Sequence, residues 1–336
     1  MKSARRRVPL PGGRLSMMLA AAALLIVALA GPMLNLKREV YDFLFVLDIT
    51  GSMNVADAGP EGARQRRLGF ARALVREAVS TMPCGSRAGL AIFTEHRSFL
   101  LFAPVEVCDN FLVVSTMLER IDWRMAWAAR SEVAKGLYSG IEAAQTLGAI
   151  ARDGGARRTR LVFMTDGHEA PPVNPALRPR FGGQAGEVRG VLAGIGGAVP
   201  SPIPFLDEND RVIGYWGHDD VLQVDRYSLG RPSTGAAEPM AGIDASEVRQ
   251  RIAAGTEHLS SLRESYLKQL ARETGLDYVR ATTPAAFAQR LLDPRLATQE
   301  ITRTDVAWLP ALLSLLCVLA LFGSPILRDG FSSPIA

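Results

Sequence analysis

Asp48, Thr50 and Ser52 stand at alternate positions in the stretch Tyr41–Asn54, YDFLFVLDITGSMN. One carboxylate and two hydroxyls at that spacing are hard-oxygen ligands, suited to Mg²⁺ or Mn²⁺ rather than to zinc or copper. Hydroxyls neutralise none of a dication's charge, so an ion held by them stays electrophilic and seeks a carboxylate from outside. The same residues also suit a plain turn capping the next helix. No other chemistry competes in the chain. It has no G-x-S-x-G, no Cys–His pair at a suggestive place and no phosphate-binding Gly-rich loop. His168 reads as a zinc ligand, a hydrogen-bond partner or a surface residue. With four histidines in the chain and no second one near it in sequence, zinc is disfavoured. Asp207-Glu208-Asn209-Asp210 lacks the Gly and terminal Glu of a calcium-binding hand loop and reads as a solvated turn.

The elements that must position these groups can be read from apolar spacing. Phe43–Leu47 is a continuous apolar run between Asp42 and Asp48, the pattern of a strand buried on both faces in a parallel sheet. Asp48 therefore lies just past a strand's carboxyl end, where open α/β sheets bind ligands. Leu68, Leu74, Val75, Ala78, Val79 and Met82 form a helical stripe ended by Pro83 and Gly85. Gly89–Phe93 reads as a second buried strand, Phe99–Phe102 as an edge strand and Phe111–Ile121 as a helix. Trp123–Arg130 is loop-like, either packing beside the sheet or offering a recognition surface for an acidic partner. Ser131-Glu132 opens a helix through Ala149, and Leu161–Met164 is a third strand ending in Thr165-Asp166-Gly167-His168-Glu169. Pro- and Gly-rich Pro171–Gly186 is a surface loop, and Val188–Gly196 contains the next strand. Residues 198 to about 256 are the least regular stretch, and a long irregular insertion in a compact domain is usually functional. A helix ending near Gly275, the strand Leu276–Arg280 and a helix over Pro284–Leu292 complete the order.

Hydrophobic residues make up 48% of the 336, and the mean hydropathy is +0.11. Two uncharged segments account for this, Met17–Leu34 and Val306–Gly323, each near the length that crosses the hydrocarbon as a helix. Lys2, Arg5, Arg6, Arg7 and Arg14 precede the first segment, and without these five the rest of the chain is close to neutral. The positive balance thus reads as topology, with no call for nucleic acid as a partner. It places both termini in the cytoplasm and residues 35 to about 305 outside. Ala28-Leu29-Ala30 has the form of a signal-peptidase site, so the first segment is either an uncleaved anchor or a cleaved leader.

Asp48-Ile49-Thr50-Gly51-Ser52 resembles the metal-ion-dependent adhesion site of von Willebrand factor A (VWA) domains, D-x-S-x-S, with Thr in place of the first Ser. The resemblance covers roughly residues 40–292. It implies an α/β Rossmann-like fold: a mostly parallel central sheet with one antiparallel edge strand and helices on both faces, here flanked by two transmembrane helices. It also implies that Ser131, at the turn Arg130-Ser131-Glu132, supplies a direct oxygen ligand, with Glu132 as the acidic neighbour. Asp166, in Met164-Thr165-Asp166-Gly167, matches the third loop. The implied site holds Mg²⁺ (or Mn²⁺ or Ca²⁺) through Thr50, Ser52 and Ser131, with Asp48 and Asp166 acting mostly through waters or hydrogen bonds. In the implied fold Cys84 and Cys108 fall at the sheet end away from the metal loop, either bridged or as two free thiols. Cys317 is an apolar filler.

The whole chain is similar to membrane-anchored bacterial VWA proteins. These include the Bat-type aerotolerance proteins linked to MoxR ATPases and the accessory proteins of periplasmic methanol dehydrogenase systems of the MxaL type. The organisation expected is a basic N-terminus (1–16), an anchor (17–34), a periplasmic VWA domain (40–292) with an insertion at about 198–256, a transmembrane helix (306–323) and a cytoplasmic tail (324–336). The expected function is non-enzymatic. It is a bacterial inner-membrane, metal-dependent protein-binding module that matures apo-methanol dehydrogenase through calcium insertion, beside other VWA accessory proteins. The partner's carboxylate would dock on the ion. The alternative is an envelope stress or assembly factor working with a MoxR-type AAA+ ATPase.

Overall fold

The computed structural model describes residues 12–128, 130–150, 158–172, 178–221, 223 and 255–329. The basic N-terminus before Gly12, residues 224–254 of the insertion and the tail beyond Asp329 lie outside the described residues. The chain divides into two units, one made from its ends (to Arg38 and from Gln299) and one spanning Glu39–Thr298.

The larger unit is built on a six-stranded sheet. Its strands are β2 (Asp42–Asp48), β3 (Arg87–Thr94), β4 (Arg97–Glu106), β5 (Arg160–Thr165), β6 (Gly190–Gly194) and β11 (Asp277–Arg280), in the spatial order β11-β6-β5-β2-β3-β4. All neighbours are parallel except β3 and β4, so the edge strand runs antiparallel. Strand β2 sits in the middle because its side chains are apolar on both faces. Phe43, Phe45 and Leu47 pack on one side with α2 (Arg67–Thr81), α3 (Val107–Arg120) and α6 (Pro284–Leu291). Leu44 and Val46 pack on the other with α4 (Val133–Ile150) and α5 (Glu264–Thr274). Each fully buried Phe or Leu contributes about 1.5–3 kcal/mol, which fixes the register against a one-residue slip. Helix α5 ends where Gly275 takes φ 75°, a left-handed cap that a Cβ disfavours.

Several elements outrun their sequence signals. The edge strand extends to Glu106 and α3 begins directly after it, with Glu106 accepting from the Asp109 N–H as cap. Cys84 and Cys108 are joined by a disulfide with Cα atoms 5.3 Å apart, tying the turn after α2 to the first turn of α3. The insertion contains regular pieces. Strands β8 (Pro204–Leu206) and β9 (Val212–Tyr215) form a hairpin, and β7 (Ser201–Pro202) pairs with β10 (Leu259–Ser260). The Asp207–Asp210 turn is solvent-facing, with Glu208 and Asn209 exposed, and is tethered to the segment after α3. Asp210 accepts from the Trp123 indole at 2.8 Å, and Arg124 donates to the Glu208 carbonyl.

In the other unit, α1 (Gly13–Leu29) lies against α7 (Trp308–Asp329), with the Ser314 hydroxyl donating to the Ala21 carbonyl at 2.9 Å. Strands β1 (Met33–Val40) and β12 (Thr298–Asp305) pair in a two-stranded sheet. These elements overturn the expected membrane topology: among the described residues no helix is long and apolar enough to cross a membrane. Helix α1 spans about 25 Å at 1.5 Å per residue, short of the ~30 Å hydrocarbon layer. Met33 and Leu34, counted in the span from sequence, belong to a strand. The described helices therefore do not support the two expected transmembrane spans, the inner-membrane placement with a periplasmic main domain, or the membrane as a partner.

Candidate metal centre

The loops at the carboxyl ends of β2 and β5 and the segment leading into α4 build the site. The first begins where β2 ends. Asp48 Oδ1 accepts from the Thr50 backbone N–H at 2.9 Å and from its hydroxyl at 2.7 Å, an Asx-type turn that aims both side chains the same way. Thr50 Oγ1 and Ser52 Oγ lie 3.4 Å apart. On its other side Asp48 Oδ2 accepts from the Thr165 hydroxyl at 2.6 Å, linking the loop to β5.

Ser131 is bracketed by backbone. Its N–H donates to the Ala170 carbonyl and its carbonyl accepts from the Ala170 N–H, while the Glu132 N–H donates to Glu95. Just beyond, the buried Glu169 carboxylate accepts from the Val133 and Ala134 N–H groups at 3.0 Å, satisfying the open N–H groups at the buried start of α4. Tyr266 donates its hydroxyl to the same carboxylate at 2.6 Å. Ser131 Oγ is itself buried and makes no hydrogen bond. Glu132 is paired with Lys135 and Arg130.

Asp166 follows β5. Its Oδ1 accepts from the His168 N–H, and its Oδ2 accepts from the Ser260 hydroxyl at 2.9 Å and from Arg67 Nη1 at 2.5 Å. Arg67 is fully buried and was not anticipated from sequence. Its Nε and Nη2 also grip Asp57 in a two-point pair at 2.7 Å each. The signal lay in spacing, because Arg67 shares the buried helical stripe with Ala71, Leu74 and Ala78. Gly196 makes room for it: at φ +121° it passes so close that a Cβ would lie 2.6 Å from Arg67 Nε.

The electrostatics split the two carboxylates. Burial, then the charge of Asp166, pushes Asp48 up to about 7 against its hydrogen bonds. Burial also acts to raise Asp166, but Arg67 and the groups around it outweigh that and hold it below the usual carboxylate range. Thr50, Ser52 and Ser131 line one cavity of about 120 Å³ with His168, Arg130 and Ala170. Ile203, Trp216, Asp220 and Val221 of the insertion close its sides. Asp48 and Asp166 are fully buried and do not line it. The donor set fits a hard cation. Three hydroxyls face one space, one has no other partner, and a buried carboxylate with a raised pKa stands behind them.

A second cluster does not fit an ion. Ligand atoms of Cys84, Glu106 and Cys108 lie within 4.8 Å of one another, but the two sulfurs are bonded to each other and offer no thiolate.

No family model matches the chain, and no curated protein matches it. Among solved structures it is similar to an aerotolerance-related membrane protein from Bacteroides fragilis, with 17% identity and TM-score 0.45 over 74% of this chain and 96% of that one. It is similar also to BatB from Bacteroides thetaiotaomicron (17%, TM-score 0.48, 76% and 98%) and to the VWA domain of SpRpn10 (10%, TM-score 0.32, 75% and 95%). At these levels the likeness says nothing of the site's residues or partners.

Proposed function

We propose that this chain is a non-enzymatic protein-interaction module of the VWA type, in which a hard divalent cation, Mg²⁺ or a close relative, joins it to a partner protein. Thr50, Ser52 and Ser131 would hold the ion directly, with Asp48 and Asp166 behind them. The ion supplies an uncompensated positive charge that attracts an oxygen ligand from the partner. The observation that carries this reading is the convergence of three hydroxyls from two separate loops on one cavity, with Ser131 Oγ otherwise unsatisfied. Of the two roles raised by the sequence, the Bat-type assembly or stress factor working with a MoxR-type ATPase is preferred. It asks only for a general interaction module, whereas no feature of the chain points to methanol oxidation.

The test is calorimetric titration of Mg²⁺ into the wild type and Asp48→Ala, followed by capture of partners with Mg²⁺ or with EDTA. The variant is expected to keep its circular dichroism and to lose at least about tenfold in ion affinity. Partner capture should fall in EDTA and in the variant alike. Capture that is indifferent to both sinks the reading.

A further inference from the structure

The cavity holds one donor that an all-oxygen site leaves unused. His168 is 2% exposed and lines the same space as Thr50, Ser52 and Ser131. Neither of its ring nitrogens makes a hydrogen bond of ordinary length. An imidazole buried with only long contacts to Glu257 gives up much of the hydration of its nitrogens, a cost that native interiors rarely leave uncompensated. Its Nε2 lies 3.8 Å from the Glu257 carboxylate, and Arg263 stands 3.7 Å from that carboxylate in turn. A carboxylate beside one imidazole nitrogen is the usual companion of a metal-bound histidine, since it fixes the N–H there and leaves the other nitrogen to coordinate.

We propose that His168 gives a nitrogen ligand to the ion of the hydroxyl cavity, so that the site selects a first-row transition dication, Mn²⁺ or Co²⁺, over Mg²⁺. This rests on the preceding reading that an ion binds there. The selectivity follows from ligand type. Mg²⁺ prefers oxygen and parts with water reluctantly, whereas imidazole favours the transition ions in the order in which their affinities rise from Mn²⁺.

The full chain is titrated separately with Mg²⁺, Mn²⁺ and Co²⁺ by calorimetry, and its Mn²⁺ complex is examined by electron spin echo envelope modulation for a coupled nitrogen. Co²⁺ is expected to bind about tenfold or more tighter than Mg²⁺, and the Mn²⁺ complex to show imidazole nitrogen modulation. In His168→Gln the modulation should vanish and the preference should shrink to within about threefold. A wild-type Mn²⁺ complex without nitrogen modulation overturns the nitrogen ligand and leaves the ion reading standing, and this readout needs no variant to fold. Unchanged selectivity in a folded His168→Gln does the same. A wild type that binds none of the metals overturns both.

Discussion

Arg67 shows how much one side chain can decide. A guanidinium with no exposure is tolerable only because every face of it is met. Asp57 takes two bonds, Asp166 takes one, and Ser260 accepts through both its hydroxyl and its carbonyl. The pair partly discharges Asp166, which leaves Asp48 as the carboxylate whose charge a bound dication would compensate. Arg67→Met would leave two carboxylates without their cation in a dry interior. A loss of about 3–5 kcal/mol in urea-denaturation stability is expected. A change within about 1 kcal/mol would show that the buried pairs do not hold the loops together. Lysine is a poor substitute, because a single ammonium cannot span Asp57 and Asp166 at once.

Among the elements, α4 depends on a carboxylate that comes from the loop after β5. Glu169 is raised from 4.5 to about 7, chiefly by burial, against the hydrogen bonds it accepts from Tyr266 and the helix start. Its folded pKa exceeds the unfolded one, so the folded state binds the extra proton between the two values. The associated stability is complete below about 4.5 and is lost as pH rises through about 7. Asp48, also raised to about 7, adds to the same fall. Denaturation of the metal-free protein across that window should therefore show stability declining with pH, and Glu169→Gln should flatten the decline. A variant profile parallel to the wild type would mean that Glu169 does not titrate as its surroundings dictate. Ser131 shares the consequence, because the same loop pins its backbone through Ala170.

At the scale of the molecule, the larger unit carries its own two-sided core. Its sheet is sealed by α2, α3 and α6 on one face and by α4 and α5 on the other. A fragment covering Glu39–Thr298 is expected to unfold in one cooperative transition and to bind the ion with the affinity of the full chain. A fragment with native far-ultraviolet but no near-ultraviolet dichroism would show that the core needs the chain ends.

Local pattern alone placed the strands and most helices. An all-apolar run such as Phe43–Leu47 can bury both faces only inside a covered parallel sheet, and stripes such as Leu68–Met82 admit one helical face. The turn chemistry of Asp48, Thr50 and Ser52 was legible for the same reason, since those groups act on their own neighbours. What the sequence overstated were the apolar ends, because hydropathy counts residues without saying where a helix stops, and at Met33 the chain has already become a strand. Only the tertiary structure brought Arg67 to Asp166, 99 positions away, and to Ser260, 193 away. It alone set His168 beside the hydroxyls and left Ser131 Oγ unpaired. Such placements are long-range: each depends on which loops the sheet order makes adjacent, and no window of neighbouring residues contains that information.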